Sequence, residues 1–173
     1  RVVLVEGALP TERAVVELLR SAPSRVRALW VERGRPLPDL RELARGLGIV
    51  VEERERERLE VLVGEGLARG VVAVAAPPRA WALAELLDPG LSRRNPAGRR
   101  LIVALDEVMD PHNLGAVIRS AEFFGAAGLI RTRDRAAPLS TAAVRASAGA
   151  TERLPLATVT NLRRALDECK DAG

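Results

Sequence analysis

The chain has 173 residues, 47% of them hydrophobic but only 2% aromatic, and carries a formal net charge of +4. That length suits one large domain or two small ones with a core of Val, Leu, Ala and Ile. It holds no apolar run of about 18 residues that could span a membrane, and the apolar run behind Arg1 is too short for a signal peptide.

Cys169 is the only cysteine and His112 the only histidine. An internal disulfide, a cysteine zinc cluster and a multi-histidine site are therefore excluded. No metal is expected, and a reducing cytoplasm is the expected location. Every basic residue but Lys170 is arginine. Forked guanidinium groups suit phosphate, but a GC-rich genome would produce the same bias.

In chain order, residues 2–5 read as a strand. Pro10-Thr11-Glu12 opens a helix with Val15, Leu18 and Leu19 at core spacing. A strand over 26–31 follows, then a helix over 37–47 stopped by Gly48, and a strand over 49–51. Residues 52–63 read as a helix whose alternating Glu and Arg form a solvated face. Residues 70–76 close this α/β half as a strand. Pro77-Pro78 breaks the pattern. A short helix over 80–87 leads into a polar, Pro/Gly-rich stretch through Gly98, the signature of a linker. The expected division is 1–77, a linker over 78–99, and a second domain from 100 to 173.

The second half alternates strands (101–105, 128–131, 153–156) with helices (111–124, 140–148, 160–170). This alternation implies a parallel sheet. Three strands are few for such a sheet, and the domain looks unfinished. Trp30 and Trp81 read as packing residues, either of which could also stack on a base.

Asp106 to Gly125 is the most informative stretch. Asp110 is a good N-cap and Pro111 a good first helical residue. Leu114, Val117, Ile118, Ala121 and Phe124 share a core face. Gly115 permits close backbone approach by a ligand or another strand. Asn113, Arg119 and Glu122 remain. On structural grounds alone they are a second cap and a surface ion pair. On functional grounds a guanidinium could stabilise a developing alkoxide beside a phosphate, and an amide could orient it without titrating.

The block Asp106, Asp110, Pro111, Asn113, Gly115, Arg119, Ser120, Ala121, Phe124 and Gly125 fills every position of the first signature motif of the SpoU/TrmH group of RNA ribose 2′-O-methyltransferases, in the SPOUT superfamily. Ala137-Pro138-Leu139-Ser140, residues 146–150, Glu152, Leu154-Pro155 and residues 159–162 also resemble that family. Glu6-Gly7 and residues 70–73 resemble its N-terminal substrate-binding domain more loosely. Where the family often has His-Gln before that glycine, this chain has Ala68-Arg69.

The resemblance implies an N-terminal L30e-like α/β domain and a C-terminal SPOUT (α/β-knot) parallel-sheet domain, cut short before the knot. It implies S-adenosylmethionine as cofactor, a homodimer, and a guanosine of 23S ribosomal RNA as target. It makes Arg119 the residue that activates the ribose hydroxyl and Asn113 its support. The family's second and third motifs, which build most of the cofactor pocket, are expected beyond Gly173. The parent is therefore expected to be an enzyme, and this length alone to be inactive. Arg131, Arg133 and Arg135, with Arg93 and Arg94 in the linker, are the RNA-binding candidates. A non-catalytic RNA-binding protein of the same fold and a transfer-RNA ribose methyltransferase stay open as alternatives.

Overall fold

The computed structural model describes residues 8–64, 66, 68–88, 90 and 99–172. The strand expected over 2–5, the Glu6-Gly7 pair, and Arg93 and Arg94 lie outside these residues.

The first half is a four-stranded mixed sheet in the order β1-β4-β2-β3. Its strands are β1 (Ala8–Leu9), β2 (Val26–Glu32), β3 (Val51–Arg54) and β4 (Val71–Ala75). β4 runs antiparallel to both β1 and β2, while β3 runs parallel to β2 at the edge. α1 (Glu12–Ser21) starts where Thr11 Oγ1 accepts the Ala14 N–H at 3.3 Å. Its buried Val15 and Leu18 join Leu40 of α2 (Pro38–Gly46) against Leu29, Val31 and Val71. The other face is covered by Leu59 and Val63 of α3 (Arg56–Val63).

Two expectations are corrected here. The strand expected over 49–51 is instead Val51–Arg54, and the helix expected from residue 52 starts at Arg56. The alternating charges of 52–54 belong to an edge strand paired from Leu29↔Val51 to Glu32↔Arg54. Charge on an exposed edge discourages pairing with another chain. Glu52 also accepts from Trp30 Nε1 at 3.2 Å, which holds it to the neighbouring strand. The helical part keeps its i,i+4 pair, Arg56 to Glu60 at 3.2 Å.

The second half is a three-stranded, wholly parallel sheet in the order β5-β6-β7. Its strands are β5 (Ile102–Leu105), β6 (Gly128–Thr132) and β7 (Leu156–Val159). The sheet is open among the described residues. Helices cover both faces, as a buried parallel sheet requires. Leu114 and Ile118 of α5 (Pro111–Phe123) pack on Leu105 and Leu129. On the other face Leu86 of α4 (Leu83–Leu87) and Ala165 of α7 (Leu162–Asp171) pack on Ile130 and Ala157.

Three further elements differ in their bounds. The helix expected over 80–87 begins at Leu83, because Trp81 pairs with Ala157 as an isolated parallel bridge. The strand expected over 153–156 begins at Leu156, because residues 150–152 form a 3-10 turn that Arg153 and Leu154 extend by bonding back to Ala150 O. α6 (Thr141–Ala146) is shorter than expected, ending before Ala148 and Gly149, both at positive φ.

The halves touch. Val144 of α6 is buried in the core of the first sheet. Gly149, at φ +88°, sits against Glu17 and Ala14 of α1, so close that an added Cβ would lie 3.0 Å from Glu17 Cγ.

Candidate active site and interdomain cleft

α5 begins at the C-terminal end of β5, where ligands collect in parallel α/β sheets. Asp110 caps it, accepting the N–H groups of His112 at 3.2 Å and Asn113 at 3.1 Å. The Asn113 side chain is exposed, as are Asp106, Asp110 and Arg119. Arg119 lies six positions after Asn113 along the helix, about 9 Å of rise and about 120° of rotation. They flank the buried Leu114–Ile118 stripe on different sides, so this helix alone does not converge them on one atom.

Glu122 does not pair with Arg119. Its carboxylate takes a bidentate bond from Arg153, Nε at 3.0 Å and Nη2 at 3.1 Å. Arg119 has neither hydrogen bond nor ion pair among the described residues. Gly115 serves packing between helices: a Cβ there would lie 2.4 Å from Ala143 O and 2.6 Å from Ala146 Cβ of α6.

A cleft of about 1150 Å³ opens elsewhere, between the halves. The ends of β6 and β7 line it with Arg131, Arg133 and Thr158, and the first half contributes Leu9, Ala22 and Arg25. Asn113, Arg119 and Arg135 do not line it. Arg135, at φ +50°, instead pairs with Glu107 at 2.6 Å across the turn after β5. Arg131 is half-buried. Its Nε donates to Thr158 Oγ1 at 3.3 Å, and its Nη1 donates to Ala137 O. Burial pulls its pKa down from the ordinary arginine value.

Ion pairs that the sequence did not reveal bridge the halves beside this cleft. Arg25 joins the carbonyl of Ala76 (Nη2 at 2.8 Å) to the carboxylate of Glu152, whose side chain is 2% exposed. Arg153 pairs with Glu17 of α1 as well as with Glu122 of α5. Hydrogen bonding to Glu122 is the main influence raising the Arg153 pKa, and partial burial opposes it.

Among the described residues no three His, Cys, Asp or Glu side chains could together hold a metal ion, and no helix is long and apolar enough to cross a membrane.

A small mixed sheet joined to an open parallel sheet, with an Asp-capped helix carrying Asn and Arg at the first strand end, defines a two-domain α/β protein. Residues 12–81 match the family model for the RNA 2′-O ribose methyltransferase substrate-binding domain, and residues 100–173 match that of the SpoU rRNA methylase family. The chain belongs to the SpoU methylase family. It is 40% identical over 163 residues to the 23S rRNA (guanosine-2′-O-)-methyltransferase of Pseudomonas aeruginosa, covering 92% of this chain and 64% of that protein. It is 41% identical over 160 residues to the protein of the same description from Acinetobacter baylyi, covering 91% and 63%. The crystal structure of the SpoU methyltransferase AviRb from Streptomyces viridochromogenes superposes with a TM-score of 0.71 at 26% identity, covering 95% of this chain and 58% of that one. The same protein in complex with AdoMet gives 0.66 at 27% identity, covering 95% and 59%. The chain thus spans just under two thirds of the length of these curated relatives.

Proposed function

We propose that this chain is the substrate-binding domain and leading catalytic portion of an S-adenosylmethionine-dependent RNA ribose 2′-O-methyltransferase acting on a guanosine of 23S ribosomal RNA. The observation that carries the reading is the complete motif at the head of α5, where Asn113 and Arg119 stay exposed while Asp110 is spent on the cap. Likeness to 23S rRNA guanosine 2′-O-methyltransferases over most of the chain supports the same target.

A ribose hydroxyl is a weak acid and must lose its proton as it attacks. An unpaired guanidinium beside it stabilises the alkoxide and can hold the adjacent phosphate. That is the role assigned to Arg119. Asn113 orients the substrate. S-adenosylmethionine supplies the methyl group when bound. Asn113 and Arg119 are both exposed, so these two side chains do not by themselves enclose a cofactor.

The reading carries finer assignments. The first domain is L30e-like over 1–77, 78–99 is the linker, and 100–173 starts a knotted SPOUT domain that works as a homodimer in the cytoplasm. Arg131, Arg133 and Arg135, with Arg93 and Arg94, meet RNA. The presence of both Asn113 and Arg119 favours catalysis over a non-catalytic RNA-binding protein.

The test is methyl transfer from labelled S-adenosylmethionine to a 23S ribosomal RNA transcript, by a protein of the relatives' full length. A ribose-methylated guanosine, lost in Arg119→Ala without change in circular dichroism, is the expected result. A folded Arg119→Ala protein with full activity would remove Arg119 from the chemistry. No transfer to any ribosomal or transfer RNA would leave the non-catalytic reading.

A further inference from the structure

Three features meet in the interdomain cleft, away from Asn113 and Arg119. The first is an uncompensated cation. Arg25, Arg79, Arg131, Arg133 and Arg153 line the cleft against the single carboxylate of Glu152. Arg25 is answered by Glu152, Arg79 by Glu85, and Arg153 by Glu17 and Glu122. Arg131 and Arg133 have no carboxylate partner among the described residues. Arg131 is half-buried and held only by the neutral oxygens of Thr158 and Ala137. Withdrawing a guanidinium from water without a counter-ion is costly, and an arriving anion removes that cost.

The second feature is an unused donor. Ser140 lines the same cleft, and its Oγ is buried without a hydrogen-bond partner. Such groups are uncommon in folded proteins, and a ligand oxygen would satisfy this one. The third is the wall. Leu9, Ala22, Leu139 and Trp81 give an apolar lining, and the Arg79 guanidinium stacks 4.3 Å from the Trp81 ring centroid. At about 1150 Å³, the cleft exceeds the roughly 300–1,000 Å³ of most small-molecule sites. Fixed cation, hydroxyl donor, stacking ring and a long apolar trough together match a short run of single-stranded nucleotides.

We propose that the interdomain cleft binds a single-stranded RNA segment, a phosphate seated between Arg131, Arg133 and Ser140 Oγ and a base lying toward the Trp81 wall. This rests on the RNA-methyltransferase reading and adds to it a second contact area, one that Asn113 and Arg119 do not line and that both domains share. RNA in the cleft would touch β6, the 138–140 loop and the first domain together, so binding couples substrate capture to the spacing of the halves.

The test uses this chain and a fluorescein-labelled single-stranded oligoribonucleotide of about 12 nucleotides, with anisotropy read across a salt series. For single strands each phosphate contact contributes about 0.7 to the slope of log affinity against log salt. Arg133→Ala should therefore weaken binding several-fold and flatten the slope by about 0.7, without changing the melting temperature. Ser140→Ala should weaken it by about fivefold, one ordinary hydrogen bond. Arg131→Gln should weaken it most, and Arg133→Ala keeps the test decisive should that variant misfold. Arg164→Ala, on α7 and outside the cleft lining, should bind as the unaltered chain does. RNA binding with unaltered affinity and slope in Arg133→Ala and Ser140→Ala would overturn the cleft site and leave the methyltransferase reading standing. An unaltered chain that binds no RNA would overturn the cleft site and count against the substrate-binding reading as well.

Discussion

The guanidinium of Arg153 donates through Nε and Nη2 to both carboxylate oxygens of Glu122, at 3.0 and 3.1 Å. The same guanidinium reaches Glu17 of α1, so one side chain ties the motif helix of the second half to the first helix of the first half. All three side chains are less than a third exposed, which places the network between a surface bridge and a buried one. Removing the shared cation would leave two partly buried carboxylates unanswered. Arg153→Ala should cost about 1–3 kcal/mol, a drop in melting temperature of about 2–4 °C per kcal/mol for a chain of this size. Adding Glu122→Gln should restore part of the loss, because one of the stranded charges goes with it. Equal melting of Arg153→Ala and the unaltered chain would show that the network contributes nothing measurable.

The sequence made α1 and α5 legible through local chemistry. Thr11 and Asp110 are caps whose side-chain oxygens do accept the first-turn N–H groups. Two of the stretches that moved, 49–63 and 153–156, are those where local pattern and tertiary pairing disagree. Glu52-Glu53-Arg54 reads as a helix face until β2 is present to pair with it. At the candidate site, residue types and spacing alone left Asn113 a cap and Arg119 half of a surface ion pair, and it was the resemblance of the whole 106–125 block to the family's first motif that singled them out. The pairing of Glu122 was not legible, because its partner lies 31 residues away. The Arg25–Glu152 bridge spans 127 residues, a separation at which no sequence periodicity operates.

Gly115 and Gly46 offer a matched pair of substitutions. Alanine is the better helix former by about 1 kcal/mol. At Gly46, the last residue of α2, an added Cβ meets nothing within 4 Å. Gly46→Ala should therefore stabilise by about 0.4–1 kcal/mol. At Gly115 the Cβ would press on the Ala143 carbonyl and the Ala146 methyl, and α6 would have to shift. Gly115→Ala should destabilise by about 1–3 kcal/mol, the usual cost of overpacking. Urea unfolding of both variants checks this, and a stabilised Gly115→Ala would mean α6 gives way freely.

Arg119 separates stability from chemistry. Its side chain is exposed and unpaired among the described residues, so Arg119→Ala should change the stability of this chain by less than about 0.5 kcal/mol. Asp110→Ala, which removes the cap of the same helix, should cost about 0.5–2 kcal/mol. In a catalytically competent protein the order should reverse, with Arg119→Ala losing far more methyl transfer than stability. A large loss of melting temperature in Arg119→Ala would assign it a structural task.

Cys169 lies in the cluster of Leu86, Ile130, Ala157 and Ala165 under the second sheet. Burial raises its thiol pKa, the charge of Glu168 adds to the rise, and Arg100 opposes it. The thiolate is the reactive form, so alkylation by iodoacetamide should reach half its maximal rate above the ordinary cysteine value of about 8.5. Glu168→Gln should bring that midpoint down only in part, since burial is the larger cause. The sign for stability follows from proton counting. Between the unfolded and folded pKa values the unfolded chain has lost its proton and the folded chain retains it. The stability tied to the neutral thiol is thus complete below the unfolded value and is lost as pH rises toward the folded one. Cys169→Ala should flatten that alkaline decline relative to the unaltered chain. An alkylation midpoint at or below that of free cysteine would mean the thiol is exposed in solution and α7 does not hold its place against the sheet.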